Sequence, residues 1–148
     1  MYTHLLLPTD GSTLSGHAID DGLALAKSLG AKVTALTVVE PLRSFSASSE
    51  LLADVRENFE KSSRENAEKL LQAVAEKAGA LGVQADTTLA HASHPDRQII
   101  EAAASGGCDL IVMASHGRRG IDGLLMGSVT QKVLTHSSIP VLVIRREA

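Results

Sequence analysis

Leu110-Ile111-Val112-Met113-Ala114-Ser115-His116-Gly117 is the stretch whose reading decides the fold. Five apolar residues run without interruption and stop at Ser-His-Gly. An unbroken apolar run of this length, ended by turn-forming residues, marks a strand buried on both faces, the pattern of a parallel sheet. A loop carrying Gly117, Gly120 and Gly123 follows, and Gly127-Ser128 then opens a helical pattern that reaches His136. The segment is therefore strand, glycine-rich loop, helix.

The same punctuation recurs outward from it. Leu5-Leu6-Leu7 ends at Pro8, Val33 to Val39 ends at Glu40-Pro41, and Val141 to Ile144 ends at Arg145. Val83 to Leu89 differs: Val83, Ala85, Thr87 and Leu89 alternate with Gln84, Asp86 and Thr88, which predicts a half-exposed strand at a sheet edge. Helical periodicity fills the intervals, over Ser12 to Leu29, Ser49 to Leu81, Asp96 to Ala104 and Ser128 to His136. Ser12 or Thr13 serves as an N-cap for the first helix and Gly30 stops it. The order β-α-β-α-β-α-β-α-β, with right-handed crossovers, predicts one α/β domain over residues 1–148. It is a doubly wound five-stranded parallel sheet with helices on both faces, Rossmann-like. The Ser-rich stretch Leu42 to Ser49 reads as a plain connector or as a lid.

Composition narrows the function. The 148 residues carry a net charge of −3 and no dominant basic block, and there is no Trp, one Tyr and two Phe. A general nucleic-acid or anionic-membrane binder needs a basic surface, and single-strand binders need stacking rings, so neither partner is expected. No apolar run approaches the length of a membrane span. The single cysteine, Cys108, reads as a packing residue. The N-terminal Met1-Tyr2-Thr3-His4 leads into a strand and has no secretory pattern, so a cytoplasmic protein is expected.

Ligands of open α/β sheets bind beyond the carboxyl ends of the strands, where strand order reverses. Three polar clusters stand there: Pro8-Thr9-Asp10-Gly11-Ser12, Glu40, and Ser115-His116-Gly117-Arg118-Arg119-Gly120. In the third, glycines let backbone N–H groups approach an anion or adopt positive φ. The N-terminus of the following helix offers unpaired N–H donors and partial positive charge. Ser128 adds a hydroxyl, and Arg118 and Arg119 add charge. A di- or triphosphate suits so many donors. The same loop also reads as a bare turn with Ser128 capping the helix. Asp10 reads as a ribose or water-mediated Mg²⁺ ligand, or as a helix cap.

The run Met113-Ala114-Ser115-His116-Gly117, nine residues, and Gly127-Ser128-Val129 resembles the nucleotide motif of the universal stress protein family, Gly-x₂-Gly-x₉-Gly-Ser/Thr. Leu6 to Ser12 and Ser138 to Ile144 are similar to that family's opening and ending, so the resemblance spans the chain. It implies strand order 3-2-1-4-5, a homodimer, and ATP as ligand. Under it Asp10 meets the ribose or metal side and Val38 the adenine. Met113, His116 and Gly117 line the ribose and phosphates, and Gly127, Ser128 and Val129 hold the phosphate tail. Pro8, Thr9, Ala114, Arg118 and Gly120 complete the expected site. Ala114 stands where the motif has its first glycine; its methyl group either crowds the ligand or is harmless if φ is negative. Ser93 stands where many members have glycine.

Other chemistry lacks its parts. Ser105-Gly106-Gly107-Cys108-Asp109 looks like a pyrophosphatase loop, but it leaves a helix and enters a strand, the wrong way round. His91 and His94 lack a cysteine partner for zinc. Neither a G-x-S-x-G elbow nor a Walker lysine is present. An enzyme acting on an adenylate would need an acid–base pair, and none is evident. The expectation is an ATP-binding stress-response regulator, not an enzyme and slow in hydrolysis at most. The alternative is a nucleotide-free interaction protein on the same scaffold. If Val141 to Ile144 is an edge strand, pairing with its twin about a two-fold axis satisfies it, which predicts a homodimer.

Overall fold

The computed structural model describes residues 1–42, 49–117 and 126–146. They form strands β1 (His4–Pro8), β2 (Lys32–Val39), β3 (Ala85–His91), β4 (Leu110–Ala114) and β5 (Val141–Ile144). Helices α1 (Thr13–Leu29), α2 (Ser49–Leu81), α3 (Pro95–Ser105) and α4 (Ser128–His136) alternate with them. Every strand pairing is parallel and the order is β3-β2-β1-β4-β5, as expected.

Strand alternation sends side chains to two faces, and each face finds its own helices. Leu5, Leu7, Val33, Ala35, Leu110 and Val112 pack with Ile19, Leu23 and Ala26 of α1 and Leu71, Val74 and Ala78 of α2. Leu6, Leu36, Ile111 and Met113 pack with Ile99 and Ala103 of α3 and Val133 of α4. β1, the central strand, has Leu5, Leu6 and Leu7 wholly inaccessible. This is why the apolar runs of β1, β2 and β4 are continuous: both faces are covered.

Ser12 is the N-cap of α1, its side chain accepting from the Ser15 N–H, and Gly30 ends the helix with φ 66°. The sequence left Ser12 and Thr13 open. The β3 boundary moves by two residues from the expected Val83 to Leu89. The Val83 N–H donates to the Ala78 carbonyl, so Val83 still belongs to the turn leaving α2 and is buried there. Ala85 and Leu89 do face the α1/α2 core, as the alternation predicts, and β3 is an edge. The central part of the Leu42 to Ser49 stretch, read as lid or connector, lies outside the described residues.

The Ser105 to Asp109 turn sits at the amino end of the sheet. Gly106 caps α3, Gly107 has φ 73°, and the Asp109 carboxylate accepts from the backbone N–H groups of Thr3 and His4. It is a helix stop and strand entry, far along β4 from the Ala114 end.

Candidate functional site

β1 and β4 are neighbours, yet their following helices pack on opposite faces, α1 on one and α4 on the other. Their exit loops diverge and leave a crevice between them, the topological switch point of the sheet. Asp10, on the β1 side, and His116, Gly117 and Gly127, on the β4 side, border it.

On the β1 side, Pro8 closes the strand opposite Leu36. Thr9 is buried and committed to the turn. Its N–H donates to the Leu36 carbonyl, its carbonyl accepts from the Thr37 hydroxyl (3.0 Å), and its own hydroxyl lies 2.8 Å from that of Ser15. Thr9 thus holds the turn in shape and aims the next residue. Asp10 is half-buried and accepts from the Ser12 N–H at 2.9 Å through Oδ1. Its other oxygen faces the opposite loop: a β-carbon on Gly117 would stand 2.5 Å from Asp10 Oδ2. Asp10 therefore supports the start of α1 and also reaches the β4–α4 loop, while the cap itself is Ser12.

On the β4 side, Ser115 leaves the strand buried, with its hydroxyl 3.0 Å from His116 Nδ1. Its carbonyl accepts from the Gly127 N–H at 2.8 Å, which folds the far end of the loop back onto the strand end. The buried Thr130 hydroxyl donates to the Ala114 carbonyl at 2.8 Å and docks α4 there. Gly127 is the N-cap of α4 with no side-chain cap, and Ser128 and Val129 follow in the first turn. The sequence allowed Ser128 to be a cap. The structure makes it the first helical residue, exposed. Among the described residues no backbone acceptor meets the first-turn N–H groups of Ser128, Val129 and Thr130. These are the donors a helix N-terminus offers an anion.

The motif glycines serve space rather than φ. Neither Gly117 nor Gly127 has positive φ. A β-carbon on Gly127 would lie 3.1 Å from the Ser115 carbonyl oxygen and 3.3 Å from His116 Cα, and one on Gly117 would strike Asp10. A side chain at Gly117 would displace the Asp10 carboxylate, and one at Gly127 would press on the backbone of Ser115 and His116 within the β4–α4 loop. Ala114 also has no positive φ, so a residue with a β-carbon fits its backbone. By alternation with Met113, its methyl group lies on the α1 side of β4.

Val38 and Val129 are partly buried against the α3/α4-side cluster that contains the buried Met113. The structure thus brings Asp10 to Gly117 and His116 to Gly127. Arg118 and Gly120, with Arg119 and Gly123, lie outside the described residues. A separate cleft of about 440 Å³ opens on the α2 side, lined by Gly11, Thr37, Val39, Asn66 and Lys69 among others; it contains none of the expected ligand residues. Sequence reading passed over the contributions of Ser115 and Thr130. The available signal was a hydroxyl at each of two positions, one ending a buried strand and one on the apolar face of α4 with Val133.

The chain matches the sequence model of the universal stress protein family over residues 1–145. It is 34% identical to the universal stress protein YxiE of Bacillus subtilis over 149 residues, covering 98% of this chain and 100% of that one. The fold superposes on the structure of MJ0577 from Methanocaldococcus jannaschii with a TM-score of 0.83 and 25% identity, across 100% of this chain and 99% of the other. It is also similar to a universal stress protein solved in complex with cAMP, with a TM-score of 0.72, 25% identity and 97% coverage of both chains. With the whole chain matched and the crevice carrying the motif residues, this protein belongs to the universal stress protein family.

Proposed function

We propose that this chain binds an adenine nucleotide, ATP, in the crevice between the β1–α1 turn and the β4–α4 loop, and acts as a regulator in a stress response. The observation that carries the reading is the meeting of Asp10 with the motif loop at Gly117, beside the uncapped N-terminus of α4. Backbone N–H groups at a helix start attract phosphate oxygens. A carboxylate one loop away is suited to ribose hydroxyls or to the water shell of Mg²⁺. Val38 and Val129, partly buried against the cluster that contains Met113, would give a base apolar contact. The cAMP bound by a relative of the same fold supports the adenine assignment.

Asp10, His116, Gly117, Gly127, Ser128 and Val129 would hold the nucleotide, and Mg²⁺ would neutralise phosphate charge. The chain offers no Walker lysine, so the reading is a binding protein in the cytoplasm with slow hydrolysis at most. The nucleotide-free alternative required Ala114 to obstruct the site; its backbone conformation and the side it faces give that reading no support.

The test is to denature freshly purified protein and resolve released small molecules by ion exchange. A near-stoichiometric adenine-nucleotide peak is expected, and Gly117→Val should lower ATP affinity by at least about tenfold, as loss of charge-assisted hydrogen bonds does, with an unchanged circular dichroism spectrum. No released nucleotide, and no binding when ATP and Mg²⁺ are added back, would overturn the proposal.

A further inference from the structure

Ser115 is 3% exposed and its peptide groups are held from two directions. Its N–H donates to the carbonyl of Ile144, the last residue of β5, at 3.0 Å. Its carbonyl accepts from the N–H of Gly127, the N-cap of α4. With the preceding Ala114 carbonyl tied to Thr130, the strand end has little freedom to turn. The Ser115 hydroxyl is therefore delivered to one place, 3.0 Å from His116 Nδ1. Among the described residues that nitrogen is the side-chain atom within hydrogen-bond reach of the hydroxyl.

From this geometry we infer that Ser115 is a positioning residue that sets the tautomer and orientation of His116 for a phosphate group, an inference that rests on the nucleotide reading above. A buried hydroxyl proton needs an acceptor. For Ser115 to donate to Nδ1, that nitrogen must be unprotonated, and the neutral imidazole then carries its proton on Nε2. An Nε2–H imidazole is a hydrogen-bond donor to an anionic oxygen, whereas the opposite tautomer presents a lone pair at Nε2 and repels it. Because the serine backbone is anchored by β5 and α4, the donor is arranged before the ligand arrives, and little reorganisation accompanies binding. The same anchoring ties the orientation of His116 to the last residue of β5.

The test combines long-range ¹H–¹⁵N spectra of His116 with ATP titrations of the wild type, Ser115→Ala and Ser115→Thr. The wild type and Ser115→Thr should show the Nε2–H tautomer in the absence of nucleotide, and Ser115→Ala should lose that preference. Loss of one orienting hydrogen bond predicts ATP binding weaker by about five- to tenfold in Ser115→Ala, with Ser115→Thr within about twofold of wild type. An Nδ1–H tautomer in the wild type would overturn the inference, as would Ser115→Ala with wild-type tautomer and affinity. If the wild type binds ATP but Ser115→Ala binds it equally well, this inference alone fails. If the wild type binds no ATP, the nucleotide reading fails and the role of His116 falls with it.

Discussion

At the amino end of the sheet, opposite the crevice, His4 is buried with Nε2 2.7 Å from the Thr34 hydroxyl. Burial, and next the positive charge of Lys32, hold its pKa below the ordinary value of 6.5, against the smaller opposing pull of Asp109 and Asp86. The unfolded chain accepts a proton on this histidine as pH falls through about 6.5, while the folded chain resists until lower pH. The unfolded state then binds more protons, so stability rises with pH in that window and is lost as pH falls below it. Asp109 extends the loss to lower pH. Burial alone would raise its carboxyl, but hydrogen bonds from the His4 and Thr3 N–H groups and the Thr3 hydroxyl outweigh it and hold the pKa down. Urea unfolding of wild type and His4→Gln as a function of pH should therefore give a constant gap above about 6.5 that changes on acidification, as the wild type alone loses the His4 contribution. Curves that stay parallel below that pH would show that His4 is not the group responsible.

At the scale of the element, α2 is divided. Its 33 residues span about 50 Å, roughly twice the length of β2. Among the described residues of α2, those that are buried are Ala67, Leu71, Val74 and Ala78, all in the second half. Val55 and Phe59, one turn apart in the first half, remain exposed. Periodicity alone predicts a helix across the whole range, since an amphipathic stripe runs through both halves. Which half meets the sheet depends on where β2 and β3 lie. Leu71→Ala should cost about 2–5 kcal/mol in urea unfolding and Phe59→Ala no more than about 0.5 kcal/mol. Equal losses would mean that the first half of α2 is also packed.

For the whole molecule, the two sheet edges differ. β3 shows exposed Asp86, Thr87 and Thr88, a polar edge that resists adding strands. β5 is Val141-Leu142-Val143-Ile144, with Leu142 41% exposed. The Pro140 carbonyl accepts from Ile111 of β4 and the Ile144 carbonyl from Ser115 just after it, so the alternation of a parallel ladder turns the peptide groups of Val141 and Val143 outward. This edge is the proposed dimer contact. The wild type should sediment as a dimer at micromolar concentration, and Val143→Pro should give a folded monomer. Proline removes an outward N–H and leaves the β4–β5 ladder intact. A wild-type monomer would sink the proposal, and so would a Val143→Pro variant that stays dimeric.

The sequence by itself determined the element order, the helix ranges of α2 and α4 and the parallel sheet. Those follow from local periodicity and from apolar runs that only two covered faces can bury. The end of β4 at Ala114 was legible for the same reason, and the family resemblance supplied the residues expected around the loop that follows. Only the tertiary structure decided that Asp10 and Gly117 meet, that Gly117 and Gly127 have close neighbours but no positive φ, and that Ser115 joins β5, α4 and His116. These contacts join residues far apart in the chain. Their distances come from how β1 and β4 pair and from α1 and α4 leaving on opposite faces, which no local pattern encodes.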